Sequence, residues 1–335
     1  MAVRVALNGF GRIGRMVLRA LLESKVHDIE IVAINDLGSG ESNAHLLKYD
    51  SVHGNISDDI LFSNDELTVG NRKIKIMSIR DPNLLPWGDL NIDIVAECTG
   101  IFSNRDKAEI HLASGAKRVL VSAPSKGADL TVVFGVNHEK ISNNHLIVSN
   151  ASCTTNCLAP VADILNKSFG LSYGYMTTIH AFTGDQSTVD TLHKDLRRAR
   201  AASLSMIPTS TGAAKAVGEV LPELAGKLDG SAIRVPTPNV SMIDLKCLLE
   251  TDVTEDEVNN TMISASENKL SGILAVNKLP LVSVDFNHSS SSSIFDCTQT
   301  KILENRFLRI VSWYDNEWGF SNRMLDTMSF MGKFI

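Results

Sequence analysis

The sequence predicts a two-domain α/β protein: a doubly wound, mainly parallel sheet first, then an α+β domain built on a mainly antiparallel or mixed sheet. Three observations predict it. At 335 residues the chain exceeds the size at which one hydrophobic core usually stops growing. Residues 3–36 read as strand, glycine turn, helix, strand and acid, which is a βαβ unit. Beyond residue 170 the strand-like runs lengthen, as antiparallel pairing allows.

The first strand is the apolar run at 3–7, and Gly9, Gly11 and Gly14 follow it in the spacing GxGxxG. Ile13, Val17, Ala20 and Leu21 then recur at helical intervals, giving a helix with one apolar face to lay on a sheet. A second strand at 30–34 ends at Asn35 and Asp36. Further strands are expected at 92–96, 119–122, 132–134 and 146–149. An amphipathic helix at 153–168 carries Leu158, Val161, Ala162 and Leu165 on one face and marks the expected domain boundary. Strands are then expected at 173–180, 232–249, 281–286 and 307–313. Thr254 and Glu257 form a capping box that starts a helix. A last helix at 318–333 has Phe320, Met324, Met328 and Met331 on one side. The serine run 289–293 reads as a solvated loop.

Hydrophobic residues make up 44% of the chain and charged residues 21%, so a packed core is expected. A net charge of -6 supplies no positive field for nucleic acid or an anionic membrane, and anionic substrates must be held locally. The longest uncharged stretch, 145–162, is too rich in Ser, Asn and Thr to span a bilayer. The amino terminus has no signal-peptide core, so a cytoplasmic location is expected. Five cysteines, odd in number and widely spaced, argue against a disulfide framework and for at least one working thiol. No metal site is expected.

Between a strand and a helix, the three glycines fit a dinucleotide (Rossmann) loop: a tight turn, a close approach to pyrophosphate, and close helix packing. The helix N–H groups and dipole meet the pyrophosphate. Asp36, at the end of the second strand, suits a ribose acceptor and favours NAD over NADP. Cys153 stands at the mouth of the 153–168 helix, where N–H groups and the dipole favour a thiolate and can hold an oxyanion. Cys157, a turn deeper, reads as structural, and Cys98, Cys247 and Cys297 as small buried hydrophobes. His180 ends a strand just before a loop and is the candidate base, whereas His27, His53, His111 and His193 read as ordinary surface or packed residues.

Six blocks in order, NGFGRIGR (8–15), SNASCTTNC (149–157), HAFTGDQ (180–186), MIPTSTGAA (206–214), RVPTPNVS (234–241) and WYDNE (313–317), resemble the phosphorylating, NAD-dependent glyceraldehyde-3-phosphate dehydrogenase family. The resemblance covers essentially the whole chain. It implies that Cys153 attacks the aldehyde of glyceraldehyde 3-phosphate and that His180 takes the thiohemiacetal proton as hydride leaves. A thioester remains, which inorganic phosphate converts to 1,3-bisphosphoglycerate. Thr183 and Arg234 would hold the substrate's phosphate; Ser152, Thr154, Arg198, Thr211 and Gly212 would hold the attacking one. On the cofactor side it adds Arg12 and Ile13 at the pyrophosphate, Arg80 and Ser122 near the adenosine half, and Asn316 at the nicotinamide carboxamide. It further implies an NAD-binding domain of residues 1–152 and 318–335, a catalytic domain of 153–317, and a homotetramer. Two alternatives stand beside it: erythrose-4-phosphate dehydrogenase, which hydrolyses its thioester, and a nucleotide-binding interaction protein without catalysis.

Overall fold

The computed structural model describes residues 2–24 and 28–335, so His27 lies outside the described residues. The chain divides into two compact units: Met1–Val132 with His138–Ala151 and Ser321–Ile335, and Val133–Asn137 with Ser152–Phe320.

The first unit is built on β1 (Val3–Asn8), β2 (Ile29–Asn35), β3 (Ile60–Ser63), β4 (Glu66–Val69), β5 (Arg72–Met77), β6 (Ile94–Glu97), β7 (Arg118–Val121), β8 (Leu130–Thr131) and β9 (Ile147–Ser149). They join in one sheet in the order β3-β4-β5-β2-β1-β6-β7-β9-β8. From β5 to β8 every pairing is parallel, and β3 and β4 add an antiparallel meander at one edge. Each residue of β6 and β7 is buried, as expected of parallel strands covered on both faces. The helices α1 (Arg12–Glu23), α2 (Gly40–Lys48), α3 (Arg105–Ala108) and α4 (Ile110–Ala113) belong to this unit, and α1 buries Met16, Val17, Leu18, Ala20 and Leu21. The predicted doubly wound sheet is therefore present. The expected strand at 132–134 is not: pairing with β9 ends at Thr131, and Asn137 turns back to accept the Val133 N–H at 2.8 Å.

In the second unit α5 (Cys153–Phe169) precedes β10 (Leu171–Ala181), β11 (Ile207–Ser210), α6 (Ala213–Val220), β12 (Leu228–Val235), β13 (Ser241–Leu249), α7 (Glu255–Glu267), β14 (Leu274–Asn277), β15 (Ser293–Asp296), β16 (Lys301–Leu303) and β17 (Phe307–Tyr314). The sheet runs β11-β12-β10-β13-β17-β15-β14, with β16 on β17. Only β10 with β12 and β14 with β15 are parallel, giving the predicted mixed, mainly antiparallel sheet. Along β13 buried and half-buried residues alternate strictly, which fixes its register. The Thr254–Glu257 capping box opens α7 as expected. The last helix, α8 (Trp318–Met331), begins in this unit and continues into the first.

Three further expectations need correction. The run 232–249 is two strands, because Pro236 and Pro238 lack ladder donors and Val240 turns the chain at a φ of 66°. Residues 281–286 hold a short 3-10 turn, Ser283–Phe286, since the Asp285 carboxylate accepts the Val282 N–H at 2.8 Å and closes the chain on itself. The serine run is not all solvated: Ser292 and Ser293 are buried, and Ser293 Oγ lies 2.7 Å from Ser312 Oγ. Among the described residues no helix is long and apolar enough to cross a membrane.

The glycine loop between β1 and α1 is held by close approach. Gly9 has a φ of 94°, and a Cβ there would lie 2.7 Å from the Thr99 nitrogen; a Cβ on Gly14 would lie 2.2 Å from the Gly9 carbonyl oxygen. Gly11 faces open space. Gly14→Ala must force loop and helix apart at a cost of about 1–3 kcal/mol, the range for overpacking. Gly11→Ala gives up only a helix-start preference, under about 1 kcal/mol. Thermal melts should therefore rank Gly14→Ala well below Gly11→Ala; equal melting temperatures would refute the packing account.

Candidate active site

Cys153 is the first residue of α5, and Ser152 caps the helix by accepting the Thr155 N–H at 3.0 Å. Ala151 precedes the cap at a φ of 56°, a left-handed conformation that costs a non-glycine residue energy and turns the chain sharply into the helix. The uncapped N–H groups of Cys153 and Thr154 bond the sulfur and favour its ionised form. Burial nevertheless pushes the half-buried thiol above its ordinary value, with the Arg234 charge pulling it back. The helix terminus alone thus does not make a low-pKa thiol, contrary to the sequence expectation, because desolvation of the sulfur outweighs it.

His180 Nε2 lies 3.6 Å from Cys153 Sγ. The imidazole is buried near the end of β10, and β12 runs parallel beside it with Arg234 at the paired position. The Ala181 carbonyl oxygen, 2.7 Å from Nδ1, can only accept. A proton on Nδ1 would be donated to that carbonyl and leave Nε2 a lone pair toward the sulfur, whereas a proton on Nε2 would let Nδ1 accept from Arg234. Arg234 Nη1 donates to the same carbonyl at 3.0 Å and lies 2.9 Å from Nδ1. Burial first, then this cation, depress the His180 pKa to about 3, so the ring stays neutral and able to accept a proton. Tyr314 packs edge-on against the ring at 5.9 Å, its hydroxyl fixed between Thr154 Oγ1 at 2.8 Å and Thr178 Oγ1 at 2.9 Å.

The expected anion-binding residues fall into two groups. Arg234 is half-buried, and its Nε has no protein partner. Thr183, half-buried, lies in the loop after β10, and its carbonyl accepts the Gln186 N–H at 2.8 Å. Arg198 is engaged by Asp185 at 2.6 Å and Thr209 Oγ1 at 3.1 Å. Thr211 accepts the Ala213 N–H at 3.2 Å, and exposed Gly212 opens α6. The hydroxyls of Ser152 and Thr154 are committed to the helix cap and to Tyr314. Asn316 is buried with its Oδ1 accepting from Ser241 Oγ at 2.9 Å, and Ser241 Oγ also accepts the Ala181 N–H at 3.0 Å. Sequence reading assigned no role to Tyr314, Ser241 or Asp185; their signal was only their place inside the quoted blocks.

In the first unit a cleft of about 450 Å³ is lined by Gly9, Gly11, Asp36, Arg80, Thr99 and Phe102 among others. Asp36 is half-buried; its Oδ2 accepts the Phe10 N–H at 2.7 Å and its Oδ1 the Gly38 N–H at 2.8 Å, leaving further lone pairs for hydroxyl donors. Helix α1 starts at Arg12 and Ile13 without a side-chain cap. Arg12 pairs with Asp50, whose pKa burial would raise but whose bonds from Arg12, His53 and Val52 bring to about 2. Open space at Gly11, a helix start without a cap and a carboxylate at the strand end fit a dinucleotide. Ser122 is not on the cleft wall; its hydroxyl bonds the Cys98 thiol.

Cys157 and Cys247 are buried with thiols raised to about 12, and Cys157 Sγ lies 3.4 Å from Ser293 Oγ. Cys98 and Cys297 are half-buried rather than buried. His111 is fully buried, and His193 lies 3.4 Å from Asp185.

Two outcomes follow from the charges. Arg234→Leu removes the largest of the effects that oppose the desolvation of Cys153, so the pH profile of its alkylation by iodoacetamide should move to higher pH; an unmoved profile removes Arg234 as its counter-charge. The folded pKa of His180, about 3, lies below the ordinary 6.5, so the unfolded chain binds the proton first as pH falls. His180 thus lowers stability below pH 6.5 by up to about 1.4 kcal/mol per pH unit until pH 3 is reached. In urea unfolding, His180→Asn should lose less stability than the parent between pH 7 and pH 5; equal losses would mean that the ring is not held neutral.

Comparison with known proteins agrees with this geometry. Residues 3–105 match the model of the glyceraldehyde 3-phosphate dehydrogenase NAD binding domain, and residues 152–316 that of the glyceraldehyde 3-phosphate dehydrogenase C-terminal domain. Relatives named glyceraldehyde-3-phosphate dehydrogenase are 63% identical over 333 residues in Xanthobacter flavus, with 99% of both chains covered, and 59% identical over 335 residues in Cereibacter sphaeroides, with 100% of both covered. That of Geobacillus stearothermophilus is 52% identical over 334 residues, with 99% of both covered. With a thiol 3.6 Å from a neutral imidazole in one unit, a cleft beside the glycine loop in the other, and both family models matched, the chain belongs to the glyceraldehyde-3-phosphate dehydrogenase family.

Proposed function

We propose that this chain is an NAD-dependent enzyme that oxidises D-glyceraldehyde 3-phosphate, with inorganic phosphate, to 1,3-bisphosphoglycerate in glycolysis and gluconeogenesis. The observation that carries the reading is the 3.6 Å approach of His180 Nε2 to Cys153 Sγ at the start of α5. Cys153 sulfur adds to the aldehyde carbon, and the thiol proton passes toward Nε2. The oxyanion that forms can be met by N–H groups of the helix start. His180 returns that proton to the oxyanion, giving the thiohemiacetal hydroxyl, and takes it back as hydride leaves the same carbon. NAD, when bound, supplies the hydride acceptor. The thioester left on Cys153 is opened by phosphate oxygen, which frees the sulfur.

In this reading Gly9, Gly11, Arg12, Ile13, Gly14 and Asp36 hold the pyrophosphate and ribose, Arg80 serves the adenosine half, Ser122 acts on it only through Cys98, and Asn316, oriented by Ser241, serves the nicotinamide carboxamide. Arg234 and Thr183 receive the substrate's phosphate. Arg198, Thr211 and Gly212 receive the attacking phosphate, with Ser152 and Thr154 contributing backbone groups because their hydroxyls are engaged. Asp185, which holds Arg198 at 2.6 Å, must share it with that anion. The first unit binds the cofactor and the second performs the chemistry. Five large apolar side chains between residues 189 and 206, Val189, Leu192, Leu196, Leu204 and Met206, are at least 69% exposed, which supports a homo-oligomer, on the family pattern a homotetramer working in the cytoplasm. The hydrolysing erythrose-4-phosphate alternative is not favoured by the relatives' names, and a non-catalytic role is disfavoured by the paired thiol and imidazole.

Steady-state NADH formation from glyceraldehyde 3-phosphate should rise and saturate with phosphate concentration. Phosphate-independent turnover would support thioester hydrolysis, and no NADH at all would remove the enzymatic reading. Arg234→Leu should lower kcat/KM for glyceraldehyde 3-phosphate about ten- to hundredfold more than for unphosphorylated glyceraldehyde, the range for lost hydrogen bonds to a charged group. Equal losses on the two aldehydes would take Arg234 out of the phosphate site.

A further inference from the structure

A buried polar chain lies behind the cleft of the first unit, and no step of the reaction uses it. Glu97, the last residue of β6, is 1% exposed, yet its two carboxylate oxygens accept four hydrogen bonds. Oε1 takes the Thr99 N–H at 2.8 Å and the Thr99 hydroxyl. Oε2 takes Asn8 Nδ2 at 2.6 Å and His111 Nε2 at 3.1 Å. The His111 proton is on Nε2, because Nδ1 accepts the Trp87 indole N–H at 3.2 Å. The chain continues from Asn8 Oδ1, which accepts Asn35 Nδ2 at 2.8 Å. Asn35 in turn holds both main-chain groups of Ile79, the N–H at 2.8 Å and the carbonyl at 3.0 Å. Thr99 and Ile79 both line the cleft, beside Asp36, Arg80 and Phe102.

We propose that Glu97 is a positioning residue for the adenosine end of the dinucleotide, which it serves by fixing two lining segments, at Thr99 directly and at Ile79 through Asn8 and Asn35. The proposal rests on the NAD reading above. Asp36 marks the ribose end of the cleft, and the apolar side chains of Ile79 and Phe102 beyond it suit a base. Only a carboxylate offers an acceptor at all four bonds; Gln at this position places an NH2 against two donors, at Thr99 or at Asn8 and His111, so one segment must come loose.

Calorimetric titration of the full-length protein with AMP and with NAD tests this. Glu97→Gln should weaken both by a similar factor, about tenfold, the scale of an unsatisfied buried polar group. KM for NAD should rise by the same factor while kcat at saturating NAD stays within about twofold, and Glu97→Asp should recover part of the affinity. Thr99→Val, at a half-buried position, keeps the N–H bond and removes the hydroxyl donor; it should weaken AMP several-fold alone and add little to Glu97→Gln. A folded Glu97→Gln protein with the parent's AMP affinity overturns the proposal, as does a fall in kcat without a change in AMP binding. If Glu97→Gln does not fold, unchanged AMP binding by Thr99→Val overturns it. A parent chain that binds neither AMP nor NAD overturns the NAD reading itself, and this proposal with it.

Discussion

The guanidinium of Arg234 lies 2.9 Å from His180 Nδ1 and 3.0 Å from the Ala181 carbonyl oxygen, and the electrostatics around Cys153 and His180 depend on that cation. It opposes a second proton on the imidazole, so the ring remains neutral; it also pulls the Cys153 thiol part of the way back from the rise that burial causes. Both effects need the side chain on the same face of the sheet as His180. The parallel register of β10 with β12, which pairs His180 with Arg234, secures this. A slip of one residue would turn Arg234 to the opposite face and leave two buried groups without their charge.

The first unit is organised differently. Its anion-facing elements are backbone: an open glycine, a helix start without a side-chain cap, and strand ends held by Asn8, Asn35 and Glu97. Buried polar chains of this kind are stabilising only when every member is satisfied, and here each oxygen of Glu97 meets two donors. Rigidity of the cleft is thus built from satisfied hydrogen bonds, while in the other unit burial is set against charge at Cys153 and His180.

Much of this was legible in the sequence because it is local. The glycine spacing between a strand and a helix, the acid at the end of β2, and Cys153 at a helix start each lie within a short stretch whose sterics dictate the outcome. The split between β12 and β13 was legible too, since Pro236 and Pro238 announce it, but the apolar alternation on both sides masked them. Not legible was anything set by desolvation. The raised thiol of Cys153, the depressed imidazole of His180 and the buried Ser293 depend on what packs over them from distant segments. The bonding of Tyr314 to Thr154 and Thr178, 160 and 136 residues away, likewise left no periodic trace.

Asp36 has a second duty that bears on how such a chain can evolve. The oxygen that accepts the Phe10 N–H fastens the glycine loop to the end of β2, so the residue proposed to set coenzyme choice is also a structural pin. Removing its charge to admit a phosphorylated ribose frees the Phe10 amide and slackens the turn that must receive the pyrophosphate. A lineage shifting its coenzyme cannot therefore travel by this one codon alone. It needs either a residue that keeps an oxygen at the loop or a prior change that anchors Phe10 by other means.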